Sequence, residues 1–238
     1  MFTRTESFRE FIRFYPVITF ILILHAILYL LTVLPLFPGM LLFEQLAGVN
    51  LFVSEGQWWR LLTPIFMHAG FAHVLFNSFS LVLFGPPLEQ MLGKIKFILL
   101  YTFSGILANV ATFLLMPLTY THVGSSGAIF GLFGFYLAMF TFRRYMLSRQ
   151  NAQIILTISV IGIIMTFIQP NINITAHIFG LIAGFLIGAF SYTDSKKDIY
   201  HQVRDNSSWR PAGNRKSFWQ MLLWGGVALL AVLGLINR

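Results

Sequence analysis

The sequence predicts an all-α membrane protein, a polytopic bundle of seven transmembrane helices, on three observations. Of the 238 residues, 57% are apolar and only 10% are charged, whereas soluble globular domains carry about 25% charged residues. Several stretches of at least 17 residues contain no Asp, Glu, Lys or Arg, which is long enough to cross a hydrocarbon layer of about 30 Å. The basic residues stand in short clusters between these stretches, which argues against nucleic-acid binding despite the net charge of +8.

Seven apolar segments supply the predicted spans, which cover residues 16–36, 61–84, 96–116, 126–142, 153–169, 176–193 and 218–236. The segment 37–60 after the first span is long and still apolar, so we expect it to lie in the membrane interface. Residues 196–217 are polar and contain Pro211, which predicts a cytoplasmic linker. The chain is therefore predicted to have a six-helix core at 1–195, this linker, and an additional C-terminal transmembrane helix at 218–238.

The basic residues also predict the orientation of the chain. If the N-terminus is cytoplasmic, fourteen of the sixteen Lys and Arg residues fall on the cytoplasmic side, and only Arg60 and Arg238 fall outside. Cytoplasmic loops of membrane proteins carry this excess of positive charge. The sequence shows neither a soluble domain nor a transit-like N-terminus. We therefore expect an integral, multi-pass protein of a bacterial plasma membrane with its N-terminus in the cytoplasm.

Polar side chains in spans two, four and six are the candidates for chemistry, because polar groups inside a membrane are costly. In the predicted orientation the even-numbered spans run inward, so groups near their starts share one side and a similar depth. Ser126 begins span four, where free backbone N–H groups and the helix dipole favour a developing negative charge. His177 stands near the start of span six. Either residue could serve only helix packing, but their common depth favours a nucleophile and its base.

Small residues predict that spans four and six pack closely. They recur on one face of each span, at Gly127, Gly131, Gly134 and Ala138 in span four and at Gly180, Gly184 and Gly188 in span six. Two such faces can meet backbone to backbone. That contact would bring Ser126 and His177 within the roughly 3 Å that base-assisted nucleophilic attack needs.

His73 and Asn77 in span two are candidates for stabilising a transition state. Their i, i+4 spacing puts both on one helix face, and paired donors can hold an oxyanion, each contributing about 3–4 kcal/mol. The alternative for Asn77 is an interhelical hydrogen bond. None of the eight acidic residues stands in span four or six near Ser126 or His177. The sequence therefore predicts a Ser-His dyad and no triad.

These residues resemble the motifs of the rhomboid family of intramembrane serine proteases. The resemblance covers about residues 15–193, and its four motifs are Trp59-Arg60, His73-x-x-x-Asn77, Gly124-Ser125-Ser126-Gly127 and Ala176-His177-x-x-Gly180-x-x-x-Gly184. It implies that Ser126 attacks the peptide carbonyl and that His177 accepts the serine proton. It implies an oxyanion hole made by His73, Asn77 and the backbone N–H of Ser126. It also implies transmembrane protein substrates, cut near the outer membrane boundary without a cofactor.

Phe130 departs from the family pattern, in which many members carry a tyrosine that stacks under the histidine. The phenyl ring keeps the aromatic face, so we expect Phe130 to orient His177 without a hydroxyl contact. The glycines of the two motifs, Gly124, Gly127, Gly180 and Gly184, are expected to support the site. By the same resemblance His68 braces the first loop, and His25 is expected to pack against a neighbour.

Three other functions are compatible with parts of the sequence. A rhomboid-fold pseudoenzyme would bind membrane helices without cutting them, but it would lack the serine or the histidine. A zinc protein could use the histidines at 68, 73, 122 and 177, but the HExxH motif is absent and the chain has no cysteine. A transporter would place ionisable groups near the bilayer midplane. The protease is favoured over all three, with substrate helices and the lipid bilayer as partners and with no metal and no nucleic acid.

Overall fold

Apolar helices dominate the computed structural model of the chain, which describes residues 6–35, 38–143, 149–168 and 172–191. Its helices are α1 (Phe8–Phe14), α2 (Pro16–Val33), α3 (Gly39–Leu46), α4 (Asn50–Ser54), α5 (Phe71–Leu92), α6 (Lys94–Leu115), α7 (Ser126–Phe142), α8 (Arg149–Ile168) and α9 (Ile174–Phe190). Of these, α2, α5 and α6 are long and apolar enough to cross a membrane, and α7, α8 and α9 are shorter apolar helices. The predicted linker at 196–217 and the predicted seventh span at 218–236 lie outside the described residues.

Five of the predicted spans correspond closely to helices, but the predicted bounds of span two are wrong. The chain forms two short 3-10 helices, Trp58–Leu61 and Thr63–Phe66, before α5 begins at Phe71. At its other end α5 continues through Pro86 and Pro87 to Leu92. A proline has no N–H to donate to the carbonyl four residues earlier, so this part of α5 lacks two of its regular helical hydrogen bonds, and a contact from α7 holds the helix immediately before the prolines. The Tyr136 hydroxyl of α7 donates to the Phe84 carbonyl at 2.7 Å.

Helix α7 forms the centre of the bundle. Most of its residues are buried, and it packs against α5, α6 and α8. The helices around it expose large apolar side chains instead, such as Phe20 of α2, Phe76 of α5 and Phe103 of α6. An apolar outer surface around a buried helix is the arrangement expected in a hydrocarbon layer, where lipid chains replace water.

Glu89 of α5 fixes the start of α2. Its side chain is buried and accepts hydrogen bonds from the backbone N–H groups of Val17 and Ile18, both at 3.0 Å. These are two of the N–H groups that a helix leaves unpaired at its N-terminus, and the helix dipole favours a negative charge there. The carboxylate therefore caps the N-terminus of α2 and ties this helix to the last turns of α5.

The segment between α2 and α5 is held in place by Arg60, whose side chain is buried. Its guanidinium donates to the carbonyl oxygens of Glu44 and Ala47 at 2.5 and 2.7 Å and to the side chain of Gln57 at 2.7 Å. The guanidinium carbon also lies 4.8 Å from the centre of the Phe52 ring. Because the one guanidinium bonds to several turns of the segment, it holds the segment in a defined conformation at one end of the bundle.

Two contacts join this segment to the chain that precedes α7. Strands β1 (Gly48–Val49) and β2 (Thr121–His122) form a short antiparallel pair. The Asn50 side chain is buried, and its Nδ2 donates to carbonyls at the C-terminal end of α6 and in the turn after it, those of Thr112, Met116 and Pro117, at 3.0–3.2 Å. Asn50 thereby caps the C-terminus of α6 and fixes where the loop toward α7 starts.

Candidate active site

The turn before Ser126 has a backbone conformation that requires glycine. Gly124 has φ +129°, which residues with a Cβ rarely adopt. A Cβ at Gly124 would also lie 2.7 Å from Nε2 of His73 and 3.7 Å from Nδ2 of Asn77. The turn is anchored by the Gly124 N–H, which donates to the Pro64 carbonyl at 2.9 Å. Helix α7 then begins at Ser126, so the N–H groups of its first turn point toward the same region as His73 and Asn77.

Helices α7 and α9 meet backbone to backbone, as the two rows of small residues predict. A Cβ on Gly180 would overlap the Gly127 carbonyl oxygen, and one on Gly184 would overlap the Gly131 carbonyl oxygen. At the end of the helix pair that carries the candidate residues, a Cβ on Gly127 would lie 3.4 Å from the Ala176 carbonyl oxygen. Gly127 follows Ser126 and Ala176 precedes His177 in the chain, so this contact brings the two candidate residues to the same place.

The imidazole of His177 is held on two sides. It stacks on the Phe130 ring, with 4.2 Å between ring centres and 17° between ring planes, so the phenyl ring provides the expected aromatic face. Its Nδ1 lies 2.8 Å from Oγ1 of Thr166 in α8. Sequence analysis did not identify Thr166, which is the one polar side chain among its apolar neighbours at 162–168.

Ser126 and His177 are neighbours, but no hydrogen bond joins them in the described part of the chain. The imidazole is instead bonded through Nδ1 to Thr166, and the Ser126 side chain is half-buried. In proteins without a substrate, catalytic hydrogen bonds are often long and tighten only in the substrate complex. The arrangement leaves the Nε2 edge of His177 as the part of the ring that can receive the serine proton.

Asn173 places the start of the helix that carries His177. Its Oδ1 accepts the N–H of Ala176 at 2.9 Å, and its Nδ2 donates to Oγ1 of Thr112 in α6 at 3.0 Å. An asparagine that precedes a helix and bonds to its third residue is a typical N-cap. This residue was also missed, although an Asn just before an apolar helix is a signal that could have identified it. Through Thr112, the start of α9 is tied to the same end of α6 that Asn50 caps.

Asn77 and His73 face the Gly124 turn from α5. Asn77 is buried, and its Nδ2 has no hydrogen-bond partner among the described residues. An amide N–H that is removed from water without a partner is costly, so the group is available to a negatively charged atom at this position. The structure thus brings together the nucleophile candidate, the base candidate and both side-chain donors that the sequence singled out.

Three further histidine rings lie near this site, two of them in a row that starts at His73. His68 lies with its ring centre 5.1 Å from that of His73, and its Nε2 is 3.5 Å from Oγ of Ser125. His25 in α2 packs against His68, with ring centres 4.6 Å apart, which is the packing role expected for it. His122 lies over Gly48 in the β1–β2 pair. Within residues 6–35, 38–143, 149–168 and 172–191, no three histidine or acidic side chains are grouped closely enough to hold a metal ion.

The position of Ser126 along the bundle follows from its neighbours in α6. A Cβ on Gly127 would lie 2.8 Å from the Cβ of Ala108, so the start of α7 is level with Ala108. Helix α6 continues to Leu115, which is seven residues further and about 10 Å at a rise of 1.5 Å per residue. The candidate serine is therefore recessed below the end of α6, inside the bundle.

Comparisons with known proteins agree with this arrangement. A family model for the rhomboid domain matches residues 55–193. The rhomboid protein YdcA of Bacillus subtilis (strain 168) is 52% identical over 187 residues, which are 79% of this chain and 94% of YdcA. Rhomboid protease GluP of the same organism is 40% identical over 60% of this chain. RHOMBOID-like protein 1 of Arabidopsis thaliana is 32% identical over 83% of this chain.

The chain spans 28% of the length of GluP and 52% of that of RHOMBOID-like protein 1, so these two relatives contain further residues with no counterpart in the match. The matched region contains α5 to α9 and therefore every candidate site residue. The chain belongs to the rhomboid family of serine intramembrane proteases and is an integral, multi-pass membrane protein.

Proposed function

We propose that the protein is an endopeptidase that cuts single-pass membrane proteins near the extracytoplasmic boundary of the membrane, with Ser126 and His177 as a catalytic dyad. The observation that carries this proposal is the backbone contact between α7 and α9, because it sets the helix starts that bear the two residues beside each other. The stacking of His177 on Phe130 supports the same assignment, since it fixes the plane of the base.

The proposal assigns a residue to each step of peptide cleavage. The Ser126 hydroxyl is a weak nucleophile until a base removes its proton, and the Nε2 edge of His177 is the acceptor. Attack on the peptide carbonyl creates an oxyanion, which the Asn77 amide, His73 and the N–H of Ser126 would receive. His177 then returns the proton to the leaving amine, and water hydrolyses the acyl-enzyme by the reverse proton route. None of these steps uses a metal or an organic cofactor.

The depth of Ser126 supports a substrate that is itself a membrane segment. Helix α6 extends about 10 Å beyond the level of Ser126, so a peptide has to enter the bundle to reach the hydroxyl. A regular helix hides its carbonyls in its own hydrogen bonds. A substrate with small or helix-weakening residues near its outer end would expose a carbonyl at this depth most easily.

The proposed orientation has the N-terminus in the cytoplasm of a bacterium and Ser126 toward the outer face. It rests on the sorting of fourteen of the sixteen basic residues to one side. A topology reporter fused after Ser195 should then report the cytoplasm, and a reporter fused after Arg238 should report the opposite side. If both reporters give the same compartment, the proposed seventh span does not exist.

The test of the dyad is cleavage of a single-pass substrate by the full chain in proteoliposomes. Ser126→Ala and His177→Ala should each abolish cleavage, whereas Ser125→Ala should have a mild effect because Ser125 contributes mainly its backbone. A fluorophosphonate should label Ser126 in the wild type and fail to label the His177→Ala protein. A chelator should leave the rate unchanged. Substantial cleavage by Ser126→Ala, or loss of activity with a chelator that zinc restores, would refute the proposal, and substrate binding without cleavage by the wild type would identify a pseudoenzyme.

A further inference from the structure

The hydroxyl of Thr166 makes two short contacts in the interior of the bundle. Its Oγ1 donates to the carbonyl oxygen of Gly162, four residues earlier in α8, at 2.7 Å. The same oxygen lies 2.8 Å from Nδ1 of His177 in α9. Both Thr166 and His177 are buried. The described part of the chain gives Nδ1 no other hydrogen-bond partner.

The number of protons available decides the direction of the second bond. A threonine hydroxyl has one proton and two lone pairs, and a carbonyl oxygen can only accept. Because the proton of Thr166 is given to Gly162, its oxygen has to accept the proton on Nδ1 of His177. A neutral imidazole carries one N–H, so Nε2 is then unprotonated. We infer that Thr166 is a positioning residue that holds His177 in the Nδ1–H tautomer, with the lone pair of Nε2 free for the Ser126 proton.

This inference rests on the proposed dyad and adds a third member to it. In serine proteases with a triad, a carboxylate bonded to Nδ1 selects the tautomer and also stabilises the positive imidazolium. A threonine hydroxyl can select the tautomer but has no charge. The Phe130 ring fixes the plane of the imidazole, and Thr166 fixes the rotation within that plane together with the position of the proton. The orientation of the base therefore depends on two helices, on α7 through Phe130 and on α8 through Thr166.

The variant series Thr166→Val, Thr166→Ser and Thr102→Val separates this role from packing. Valine has the shape of threonine without the hydroxyl, and serine restores the hydroxyl. Thr102 in α6 is the matched control, because its Oγ1 also donates to a carbonyl four residues earlier, that of Ile98 at 2.6 Å, and none of the described histidines bonds to it. All three variants should fold, and their thermal unfolding in detergent measures any packing effect.

The first readout is the tautomer itself, which does not depend on proteolysis. Full-length protein with ¹⁵N-labelled histidine, reconstituted in lipid at about pH 8, is measured by solid-state NMR, and His177 is assigned by the signals lost in His177→Gln. We expect Nδ1 to be the protonated nitrogen in the wild type, in Thr166→Ser and in Thr102→Val. In Thr166→Val we expect a mixture with the Nε2–H tautomer. A wild-type His177 with its proton on Nε2 would overturn the inference.

The second readout is turnover of the single-pass substrate. Thr166→Val should lower kcat at least tenfold with little change in KM, because a misplaced proton blocks the base without removing substrate contacts. Thr166→Ser should stay within threefold of wild type, and Thr102→Val should match it. An unchanged kcat in Thr166→Val would refute the positioning role even if the tautomer shifts. Failure of the dyad itself is recognised separately, since it appears as cleavage by Ser126→Ala.

Discussion

The contact between Gly184 and Gly131 gives the most direct test of how α7 and α9 are held together. A methyl group on Gly184 would overlap the carbonyl oxygen of Gly131. That oxygen belongs to the main chain of α7 and cannot rotate away, so the two helices would have to separate. A tolerated C–H···O contact has a C···O distance of about 3.3–3.6 Å, so the required shift is about 1 Å or more.

The expected effect on stability is large for the addition of one carbon atom. An extra methylene in a packed core costs about 1–3 kcal/mol, and a collision with main chain belongs at the upper end, so we expect Gly184→Ala to lose about 3 kcal/mol. The same shift moves His177 away from Ser126, and a displacement of about 1 Å at a catalytic group can cost about 100-fold in rate. The matched control is Gly162→Ala in α8, where the added carbon would lie 3.4 Å from Phe130, an ordinary contact.

Both quantities can be measured on the same preparations. The free energy of unfolding is obtained by titration with sodium dodecyl sulfate in mixed micelles, and kcat is obtained with a single-pass substrate in proteoliposomes. We expect Gly184→Ala to lose stability and turnover together, and Gly162→Ala to lose neither. If Gly184→Ala unfolds at the same detergent fraction as Gly162→Ala and cleaves at the wild-type rate, the two helices are not in backbone contact and the argument fails.

Three further predictions concern the helix cap, the turn before the nucleophile, and acid stability. Glu89→Gln replaces one of the two accepting oxygens with an NH₂ group that faces a backbone N–H. The free energy of unfolding should therefore fall by about 1–3 kcal/mol, and an unchanged value would contradict the capping of α2 by Glu89. Gly124→Ala forces a Cβ into φ +129°, a strain of about 1–3 kcal/mol, and should lower kcat by at least fivefold with the protein still folded; wild-type turnover would contradict it. Burial lowers the pKa of His122 to about 4, below its ordinary value of about 6.5, so its contribution to stability is complete above about pH 6.5 and is lost as the pH falls toward 4. In His122→Phe the unfolding free energy should therefore fall less between about pH 7 and pH 5 than in the wild type, and equal slopes would refute this assignment.

Residue composition and small-residue spacing were sufficient to predict most of the bundle. The predicted bounds 126–142 coincide with α7, because this helix begins directly after a Gly-Ser turn and ends at Phe142, just before the basic Arg143. The glycine rows of spans four and six predicted the backbone contact, since small residues at intervals of about four leave a groove along one helix face. The placement of His73 and Asn77 beside the Gly124 turn also follows the predicted common depth.

The parts that sequence analysis missed depend on partners that are distant in the chain. The segment 61–70 is as apolar as a helix, and only the structure shows 3-10 turns and a loop there. The prolines of α5 predict an end to the helix, but α5 continues to Leu92. The Tyr136 hydroxyl, which holds the Phe84 carbonyl just before the prolines, comes from α7, 52 residues away in the chain. Thr166 has the local pattern of any threonine that bonds back to its own helix. Its contact with His177 depends on the rotation of α8 about its own axis. That rotation cannot be predicted from a single sequence.

The main-chain contact between α7 and α9 also has a consequence for engineering the protein. The carbonyl groups and Cα atoms of Gly127, Gly131, Gly180 and Gly184 lie against each other with no side chain between them. A redesign therefore has no side chain to exchange at these four positions. The distance between Ser126 and His177 is therefore set by main-chain contacts and does not depend on exchangeable side chains at these positions. Variation intended to admit other peptides belongs on α5, on the 37–60 segment and on the outer surface of α8, where side chains can change while that distance stays the same.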